Sequence, residues 1–150
     1  MKQAEWHTTT PEETMLLGER IGRLLQAGMC ITLQGDLGAG KTTFTKGIAK
    51  GMGICKTVNS PTFTIMKVYQ GTLPLYHLDA YRLEGAHQDL GFEEYLEGDG
   101  VSVVEWPQFI AELIPAEHLA IVIENSGDEA RIFHMQAHGS RYERILGEIV

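Results

Sequence analysis

The chain contains the run Gly35-Asp36-Leu37-Gly38-Ala39-Gly40-Lys41-Thr42, which fits the pattern G-x-x-x-x-G-K-[ST]. Glycines at fixed positions of such a run let the backbone adopt conformations and close approaches that a Cβ atom would block. Successive N–H groups can then turn inward and form a nest for an anion. In this pattern Lys41 contacts the β- and γ-phosphates of a nucleotide, and the hydroxyl of Thr42 binds Mg²⁺. The run therefore predicts a phosphate-binding loop.

The residues on either side predict the strand and the helix that a phosphate-binding loop requires. Before the loop, residues 29–33 form a short apolar, β-prone run typical of a buried strand. After it, Phe44, Ile48 and Met52 recur every four residues and predict one face of a helix that runs out at Gly51 and Gly53. That helix begins at the loop, so the positive end of its dipole points at the phosphates. This context distinguishes the run from a glycine-rich turn that matches the pattern by chance.

Strand-like and helix-like segments alternate along the rest of the chain. Thr10-Pro11-Glu12-Glu13 has the features of a helix start, and the helix is predicted to run to Gln26. Further strands are predicted at residues 2–7, 64–69, 73–79, 101–105, 119–123 and 130–137, and further helices at residues 86–96, 109–113 and 142–149. We expect an α/β fold: a three-layer P-loop NTPase-like domain with a mostly parallel central sheet, antiparallel additions and helices on both faces. Residues 1–150 are predicted to form this single domain.

Composition narrows the class of protein and of partner. The 150 residues carry 20 acidic and 12 basic side chains, and this net charge of −8 disfavours independent tight binding of nucleic acid. No run approaches the roughly 18 apolar residues of a membrane span, and the polar N-terminus lacks a signal pattern. The two cysteines, Cys30 and Cys55, do not make a disulfide framework. We therefore expect a reduced, cytoplasmic protein with no membrane and no DNA partner.

Two acidic residues stand at predicted strand ends, where a phosphate loop needs a carboxylate to organise its Mg²⁺. Asp79 closes the apolar residues 73–78, and Glu105 closes residues 101–104. Ligands bind at the carboxyl edge of open α/β sheets, so both side chains are candidates for this role. Each acid could instead cap a neighbouring helix or face solvent.

Thr62 and Arg82 each keep two interpretations, and a packed or core position is favoured for His77 and Trp106. Thr62 lies in an extended loop, where a switch threonine could close on Mg²⁺ and the γ-phosphate or make a local turn bond. Arg82 could stabilise charge on a transferring phosphoryl group, or it could pair with a nearby acid. His77 is interpreted as a packed, hydrogen-bonded strand residue. Trp106 is interpreted as a core residue rather than a lid.

Four motifs of this chain, taken together, resemble the TsaE (YjeE or YdiB) family of small bacterial ATPases. They occur in the family's order and spacing across essentially the whole chain: residues 35–43, Ser60-Pro61-Thr62-Phe63, His77-Leu78-Asp79-Ala80-Tyr81-Arg82 and Val104-Glu105-Trp106. This family is required for threonylcarbamoyl-adenosine formation in tRNA. The resemblance implies ATP and Mg²⁺ as ligands, a weak intrinsic ATPase activity, and action together with TsaD and TsaB. It also implies that tRNA is met only indirectly, through these partners.

Carried over to this sequence, the family's motifs imply a role for each matching position. The residues implied in catalysis are Lys41, Thr62, Asp79 and Glu105, and those implied in holding Mg²⁺ are Thr42, Asp79 and Glu105. The implied nucleotide-binding positions are Asp36, Leu37, Gly38, Ala39, Gly40, Lys41, Thr42 and Thr43. The adenine contacts of the family come partly from regions that match no sharp motif here, near Thr10-Pro11 and Gly127.

Three other functions share a phosphate-binding loop. A small-molecule or nucleoside kinase of the P-loop type usually needs an arginine-bearing lid, and the six arginines of this chain do not cluster in such an insertion. A GTP switch would carry an Asn-Lys-x-Asp motif, which the sequence lacks. The third is a scaffold that binds nucleotide without turnover. An ATPase differs from it because Glu105→Ala should abolish Mg²⁺-dependent hydrolysis while leaving the fold intact.

Overall fold

A computed structural model describes residues 2–36, 40–54, 66–83, 92–96 and 98–149 of the chain. Its strands are β1 Lys2–Thr8, β2 Cys30–Gln34, β3 Met66–Tyr69, β4 Leu75–Asp79, β5 Val101–Glu105, β6 His118–Asn125 and β7 Arg131–His138. Its helices are α1 Pro11–Gly22, α2 Lys41–Gly51, α3 Phe92–Leu96 and α4 Ser140–Ile149, with 3-10 helices at Ala80–Leu83 and Pro107–Leu113. None of these helices is long and apolar enough to cross a membrane.

The seven strands of the described residues form one sheet in the order β1-β7-β6-β2-β5-β4-β3. The four middle strands, β6, β2, β5 and β4, run parallel to one another. Antiparallel pairs flank them, because β7 pairs with β6 and β1 on one side and β3 pairs with β4 on the other. The predicted parallel centre with antiparallel additions is confirmed. The carboxyl ends of β2, β5 and β4 therefore meet at one edge of the sheet, and we name it the loop edge.

Two apolar clusters form the core, one on each face of the sheet. The larger cluster packs α1, α2 and α4 against the strands and includes Leu17, Phe44 and Leu146. The smaller cluster brings α3 and the 3-10 helix Pro107–Leu113 against the opposite face and includes Leu96 and Ile110. Neighbouring residues of β2 and β5 contribute to different clusters because side chains alternate along a strand. The predicted three layers, with helices on both faces, are confirmed.

The first residue of β2, Cys30, is fully buried and forms a hydrogen bond to α4. Its backbone N–H donates to the hydroxyl of Tyr142 at 2.8 Å. Burial raises the pKa of the Cys30 thiol to about 12, and burial also raises the pKa of Tyr142. The thiol of Cys30 therefore stays protonated at neutral pH and serves as a small apolar group in the sheet.

α1 begins where the sequence predicts, and side-chain hydrogen bonds link its first turn to the two residues before it. The hydroxyl of Thr10 accepts the N–H of Glu13 at 3.1 Å. In return, the Glu13 carboxylate accepts the N–H of Thr9 at 2.6 Å and the Thr9 hydroxyl at 2.7 Å. These hydrogen bonds from Thr9 lower the pKa of Glu13. The bond from Glu13 to Thr10 satisfies one of the N–H groups that the start of a helix leaves without intrahelical partners.

The predicted end of this helix at Gln26 is wrong, because α1 ends at Gly22. Beyond it, the N–H of Leu24 donates to a carbonyl only three residues back, which closes a tight turn rather than another helical turn. The chain then reverses at Gly28, whose φ is +85° and whose N–H donates to the Gly100 carbonyl at 2.8 Å. The apolar spacing of the segment continues to suit a helix, but the chain must turn here to enter β2.

Other predicted boundaries shift by a few residues. β4 begins at Leu75 rather than at residue 73, because Pro74 has no N–H to donate to the ladder. The segment predicted as a short helix before Pro115 is a 3-10 helix, and non-helical dihedral angles at Ile110 kink it. Of the helix predicted at residues 86–96, the last five residues form α3. The rest of that segment, residues 86–91, and residues 64–65 of another predicted strand lie outside the described residues.

α1 and α2 pack with their backbones in contact. A Cβ atom at Gly47 would stand 2.1 Å from the carbonyl oxygen of Met15, and one at Gly18 would stand 2.4 Å from that of Phe44. Both distances are far inside van der Waals contact, so a larger residue at either position would force the helices apart. α1 therefore fixes the position of α2, whose first residue is Lys41.

Candidate functional site

The phosphate-loop motif connects the end of β2 to the start of α2. Gly40 occupies the N-cap position of α2 with φ of +97°, a left-handed conformation that favours glycine, and its carbonyl accepts the N–H of Phe44 at 2.9 Å. Lys41 is the first residue of α2, and Thr42 and Thr43 follow it in the first turn, both partly buried. Asp36, at the other end of the loop, is exposed. The intervening Leu37, Gly38 and Ala39 lie outside the described residues.

Lys41 holds a buried positive charge at the loop edge. Its side chain is only 6 % exposed, and its Nζ donates to the Gly35 carbonyl at 2.8 Å. The same Nζ lies 3.7 Å from Oε1 of Glu105 and 4.3 Å from the centre of the Trp106 ring. A carbonyl, a carboxylate and an aromatic face thus compensate the desolvation of the ammonium group. The charge is held where a phosphate of a bound nucleotide would be expected.

Glu105, the last residue of β5, is 4 % exposed and contacts a different group with each carboxylate oxygen. Its Oε1 faces Lys41, as described, and its Oε2 lies 2.5 Å from Nε2 of the fully buried His77. The sequence interpretation of His77 as a packed, hydrogen-bonded residue agrees with this contact. What the sequence did not show is that the partner of His77 is the candidate acid Glu105.

Asp79 lies beside Glu105 in the sheet. The two residues are Cα partners at the ends of the parallel strands β4 and β5, so both stand at the loop edge on the same face. Oδ1 of Asp79 accepts the N–H of Tyr81 at 3.0 Å, at the start of the 3-10 helix Ala80–Leu83. Asp79 therefore makes the local capping bond that the sequence left as one alternative, and it also adds a second carboxylate to the site.

Trp106 follows Glu105 with an unusual backbone conformation. Its φ of +59° makes it a left-handed residue that is not glycine, which is uncommon for a bulky side chain. The Trp106 N–H donates to the Leu33 carbonyl at 3.2 Å, and the ring stands 5.1 Å from that of Tyr81. The ring is half-buried, packs against the smaller apolar cluster as the core interpretation predicts, and also covers Lys41. Its conformation turns the indole toward the loop edge.

Arg131 is a residue near the phosphate loop that sequence reasoning missed. Its Nε lies 3.7 Å from the position that a Cβ atom would take at Gly40. β7 begins at Arg131 and runs antiparallel to β6, so its first residue lies at the loop edge, and the neighbouring strand β1 pairs Thr8 with it. The N-terminal segment and the turn that contains Gly127 therefore approach the loop together. No local sequence signal marks Arg131, because this proximity depends on the strand order.

Two candidate residues lie wholly or partly outside the described residues. Thr62 and its motif Ser60-Pro61-Thr62-Phe63 lie outside the described residues. The backbone of Arg82 lies in the 3-10 helix Ala80–Leu83, and its side chain is outside the described part of the chain. The roles of Thr62 and Arg82 therefore stay predictions from the sequence.

The groups at the loop edge suit a magnesium ion that is bound together with a nucleotide. In the described ranges, no three or more His, Cys, Asp and Glu side chains are grouped so as to hold a metal ion. Mg²⁺ in nucleotide sites takes one or two carboxylates, with phosphate oxygens and waters as its other ligands. Glu105, Asp79 and the hydroxyl of Thr42 supply this kind of partial oxygen set next to the loop.

Comparisons with known proteins point to one family. The family model of the threonylcarbamoyl adenosine biosynthesis protein TsaE matches residues 8–133. The chain is 51 % identical over 150 residues to the tRNA threonylcarbamoyladenosine biosynthesis protein TsaE of Bacillus subtilis (strain 168), a match that covers 99 % of this chain and 95 % of that protein. It is 43 % identical over 122 residues to the protein of the same name from Treponema pallidum (strain Nichols), covering 80 % of this chain and 90 % of that protein.

A solved structure shows the same architecture. The crystal structure of YdiB from Bacillus subtilis superposes on this chain with a TM-score of 0.85 and 46 % sequence identity, covering 99 % of this chain and 94 % of that chain. The P-loop NTPase-like fold predicted from the sequence is thereby confirmed, as is the resemblance carried by the four motifs. On the family match, the sequence identity and the shared structure, the chain belongs to the TsaE family.

Proposed function

We propose that this chain is a Mg²⁺-dependent ATPase of low intrinsic activity that acts with TsaD and TsaB in the threonylcarbamoyladenosine modification of tRNA. The observation that carries the proposal is the buried ion pair of Lys41 and Glu105, 3.7 Å apart beside the phosphate loop. The names of the relatives support the pathway, since both are tRNA threonylcarbamoyladenosine biosynthesis proteins. In this proposal residues 1–150 work as a single P-loop ATPase domain in the cytoplasm.

Each residue of the site has one task in this proposal. The loop N–H groups and Lys41 bind the phosphates of ATP, within the stretch from Asp36 to Thr43. Thr42, Asp79 and Glu105 hold Mg²⁺, directly or through water. Bound Mg²⁺ supplies charge neutralisation at the phosphate oxygens. Thr62 acts as the switch residue that closes on the γ-phosphate.

The proposed partners account for two properties of the chain. A net charge of −8 makes the protein a poor binder of an RNA backbone, so tRNA is reached through the surface of a partner. Hydrolysis also needs a group that orients the attacking water. The motifs of this chain supply ligands for phosphate and metal, and a partner would complete the site. We therefore expect the chain to hydrolyse ATP slowly by itself and faster in the complex with its partners.

Calorimetry of ATP binding with and without Mg²⁺ tests the ligand assignment. We expect Mg²⁺ to strengthen ATP binding to the native chain, Glu105→Gln to remove most of this gain, and Lys41→Ala to weaken binding in both conditions. Glu112→Gln, which removes an exposed carboxylate from the 3-10 helix Pro107–Leu113, is the matched control and should behave as the native chain. ATP binding that is indifferent to Mg²⁺ and to Glu105→Gln would contradict the proposal.

Capture of TsaD and TsaB by the immobilised chain, with ATP, ADP or no nucleotide present, tests the partnership. We expect the amount captured to depend on the nucleotide, and failure to capture either partner in all three conditions would exclude the partnership. An assay of phosphoryl transfer to nucleosides and other small acceptors completes the test. Transfer at ordinary kinase rates would replace the proposed function with that of a small-molecule kinase.

A further inference from the structure

His77 is a buried histidine whose hydrogen bonding is not explained by packing alone. It lies in β4, is fully shielded from solvent, and places Nε2 2.5 Å from Oε2 of Glu105. Its other nitrogen, Nδ1, is buried without a hydrogen-bond partner in the described structure. An unsatisfied buried polar atom costs stability, so an apolar side chain of similar size would serve the core better. The contact with Glu105 is what the histidine adds.

The strand register explains how His77 reaches Glu105. His77 pairs with Val103, and Asp79 pairs with Glu105, in the parallel ladder of β4 and β5. Side chains two residues apart on a strand point to the same face, so His77 and Glu105 are diagonal neighbours on one face. A histidine ring and a glutamate side chain are together long enough to span this diagonal. The contact is therefore built by two adjacent, fully buried segments of the sheet.

The two contacts of Glu105 fix the orientation of its carboxylate. Nε2–H of His77 donates to Oε2, which leaves Oε1 directed at Lys41 and the loop edge. The proton of this contact is assigned to Nε2 because a carboxylate oxygen accepts hydrogen bonds. Rotation of the carboxylate would break the hydrogen bond from His77. The histidine thus fixes the orientation of the carboxylate, with one oxygen held by His77 and the other facing the phosphate loop.

We propose that His77 is a positioning residue that orients Glu105 as a ligand for Mg²⁺ in the nucleotide site. This inference rests on the proposed function, because it names the residue that positions Glu105, one of the Mg²⁺ ligands in that proposal. Residues that hydrogen-bond to a metal-ligating carboxylate fix its geometry, and their loss typically costs about 10–100-fold in metal affinity or activity. His77 itself contacts neither nucleotide nor metal in this proposal.

Two substitutions of His77 distinguish a role in orienting Glu105 from a role in filling the core. His77→Leu fills the site without a donor, whereas His77→Gln keeps an amide N–H at about the depth of Nε2. Mg²⁺ is titrated into a mixture of the chain and ATP, and calorimetry measures the heat of binding. ATP binding in the presence of a chelator is measured separately. Ser102→Ala is the control, because Ser102 is a buried polar residue of β5 whose hydroxyl bonds to the Tyr95 carbonyl rather than to the site.

We expect His77→Leu to weaken the apparent Mg²⁺ affinity about 10–100-fold, the range typical of such supporting residues, and to leave binding of ATP without Mg²⁺ nearly unchanged. His77→Gln should restore most of the Mg²⁺ affinity, and Ser102→Ala should keep all of it. Native Mg²⁺ affinity in His77→Leu would overturn the inference. If circular dichroism shows that His77→Leu does not fold, His77→Gln and His77→Asn decide, because the shorter Asn amide cannot reach Glu105. Equal Mg²⁺ affinities in those two variants would also overturn it.

The outcome also distinguishes this inference from the function on which it rests. If Mg²⁺ does not strengthen ATP binding to the native chain, the proposed function fails. If Glu105→Gln loses the Mg²⁺ effect and His77→Leu keeps it, the function stands and only the positioning role of His77 is rejected.

Discussion

Histidine–glutamate contacts join neighbouring strands in two regions of the sheet, and a buried pair and an exposed pair show how these regions differ. At the loop edge, the His77 and Glu105 side chains are 0 % and 6 % exposed and 2.5 Å apart. On the outer part of the sheet, His134 of β7 and Glu124 of β6 are 42 % and 58 % exposed and 2.9 Å apart. Water competes with an exposed pair and screens it, whereas a buried group that loses its partner is left unsatisfied. The same two residue types therefore form a contact at the loop edge that is costly to break, whereas the exposed pair contributes little to stability.

The largest expected difference between the two regions is in hydrolysis. We expect Glu105→Ala to lower Mg²⁺-dependent ATP hydrolysis by more than about 100-fold, because even residues that only support a metal ligand cost about 10–100-fold. Glu124→Ala removes the corresponding acid of the exposed pair and should leave the rate unchanged. Steady-state phosphate release by both variants, with their circular dichroism spectra as a folding control, measures this contrast. Similar rates in the two variants would remove the distinction drawn between the two pairs.

The next prediction compares a glycine at the contact of two helices with a glycine on an exposed helix face. Gly47→Ala should lower the free energy of unfolding by about 1–3 kcal/mol, the usual cost of overpacking, because its Cβ would meet the Met15 carbonyl at 2.1 Å. Gly147→Ala, in the exposed face of α4, meets only the flexible end of Lys2 at 3.4 Å and should raise stability by up to about 1 kcal/mol through helix propensity. Urea denaturation measures both. Equal effects of the two substitutions would show that α1 and α2 are not in tight contact.

A third prediction concerns pH and the half-buried His118. Burial lowers the pKa of His118 below its ordinary value of 6.5, the nearby His138 lowers it further, and the bond to the Pro115 carbonyl partly opposes both. The unfolded chain therefore binds this proton at a higher pH than the folded chain. Stability should fall as the pH drops below about 6.5 and level off once the folded-state pKa is passed. His118→Gln should show a smaller loss than the native chain when denaturation is followed between about pH 5 and 8.

The smallest expected effect belongs to the exposed pair itself. A double-mutant cycle with His134→Ala and Glu124→Ala should give a coupling energy between about 0 and 1 kcal/mol that decreases as salt is added. Thermal denaturation at low and at high ionic strength provides the measurement. A salt-insensitive coupling well above this range would show that exposure does not separate the two histidine–glutamate pairs.

Local chemistry explains why much of the fold and part of the site can be predicted from the sequence. The phosphate-loop pattern fixes a strand before it and a helix after it, and β2 and α2 occupy those positions. The capping residues at Thr10 and Glu13 fix the start of α1. Asp79 and Glu105 each close a strand, and the ends of parallel strands meet at one edge, so their proximity follows from the fold class.

The remaining features depend on contacts between distant segments, which local patterns do not encode. The glycine contact of α1 and α2 needs both helices in place, and each glycine alone looks like a weak point in a helix. The contact of His77 with Glu105 depends on the register of two strands, and the position of Arg131 depends on the order of the whole sheet. α1 ends before the predicted Gln26 because the path into β2 requires a turn, although the spacing of Leu24 and Leu25 also suits a helix.

The burial of Cys30 has a practical consequence for labelling this protein. A thiol that is inaccessible and has a pKa of about 12 will not react with maleimides or iodoacetamides at neutral pH while the chain is folded. The sequence contains one other cysteine, Cys55, between the helix that carries Lys41 and the motif that contains Thr62. A thiol-reactive fluorophore or spin label added to the folded protein therefore leaves Cys30 unmodified, without the need to replace it.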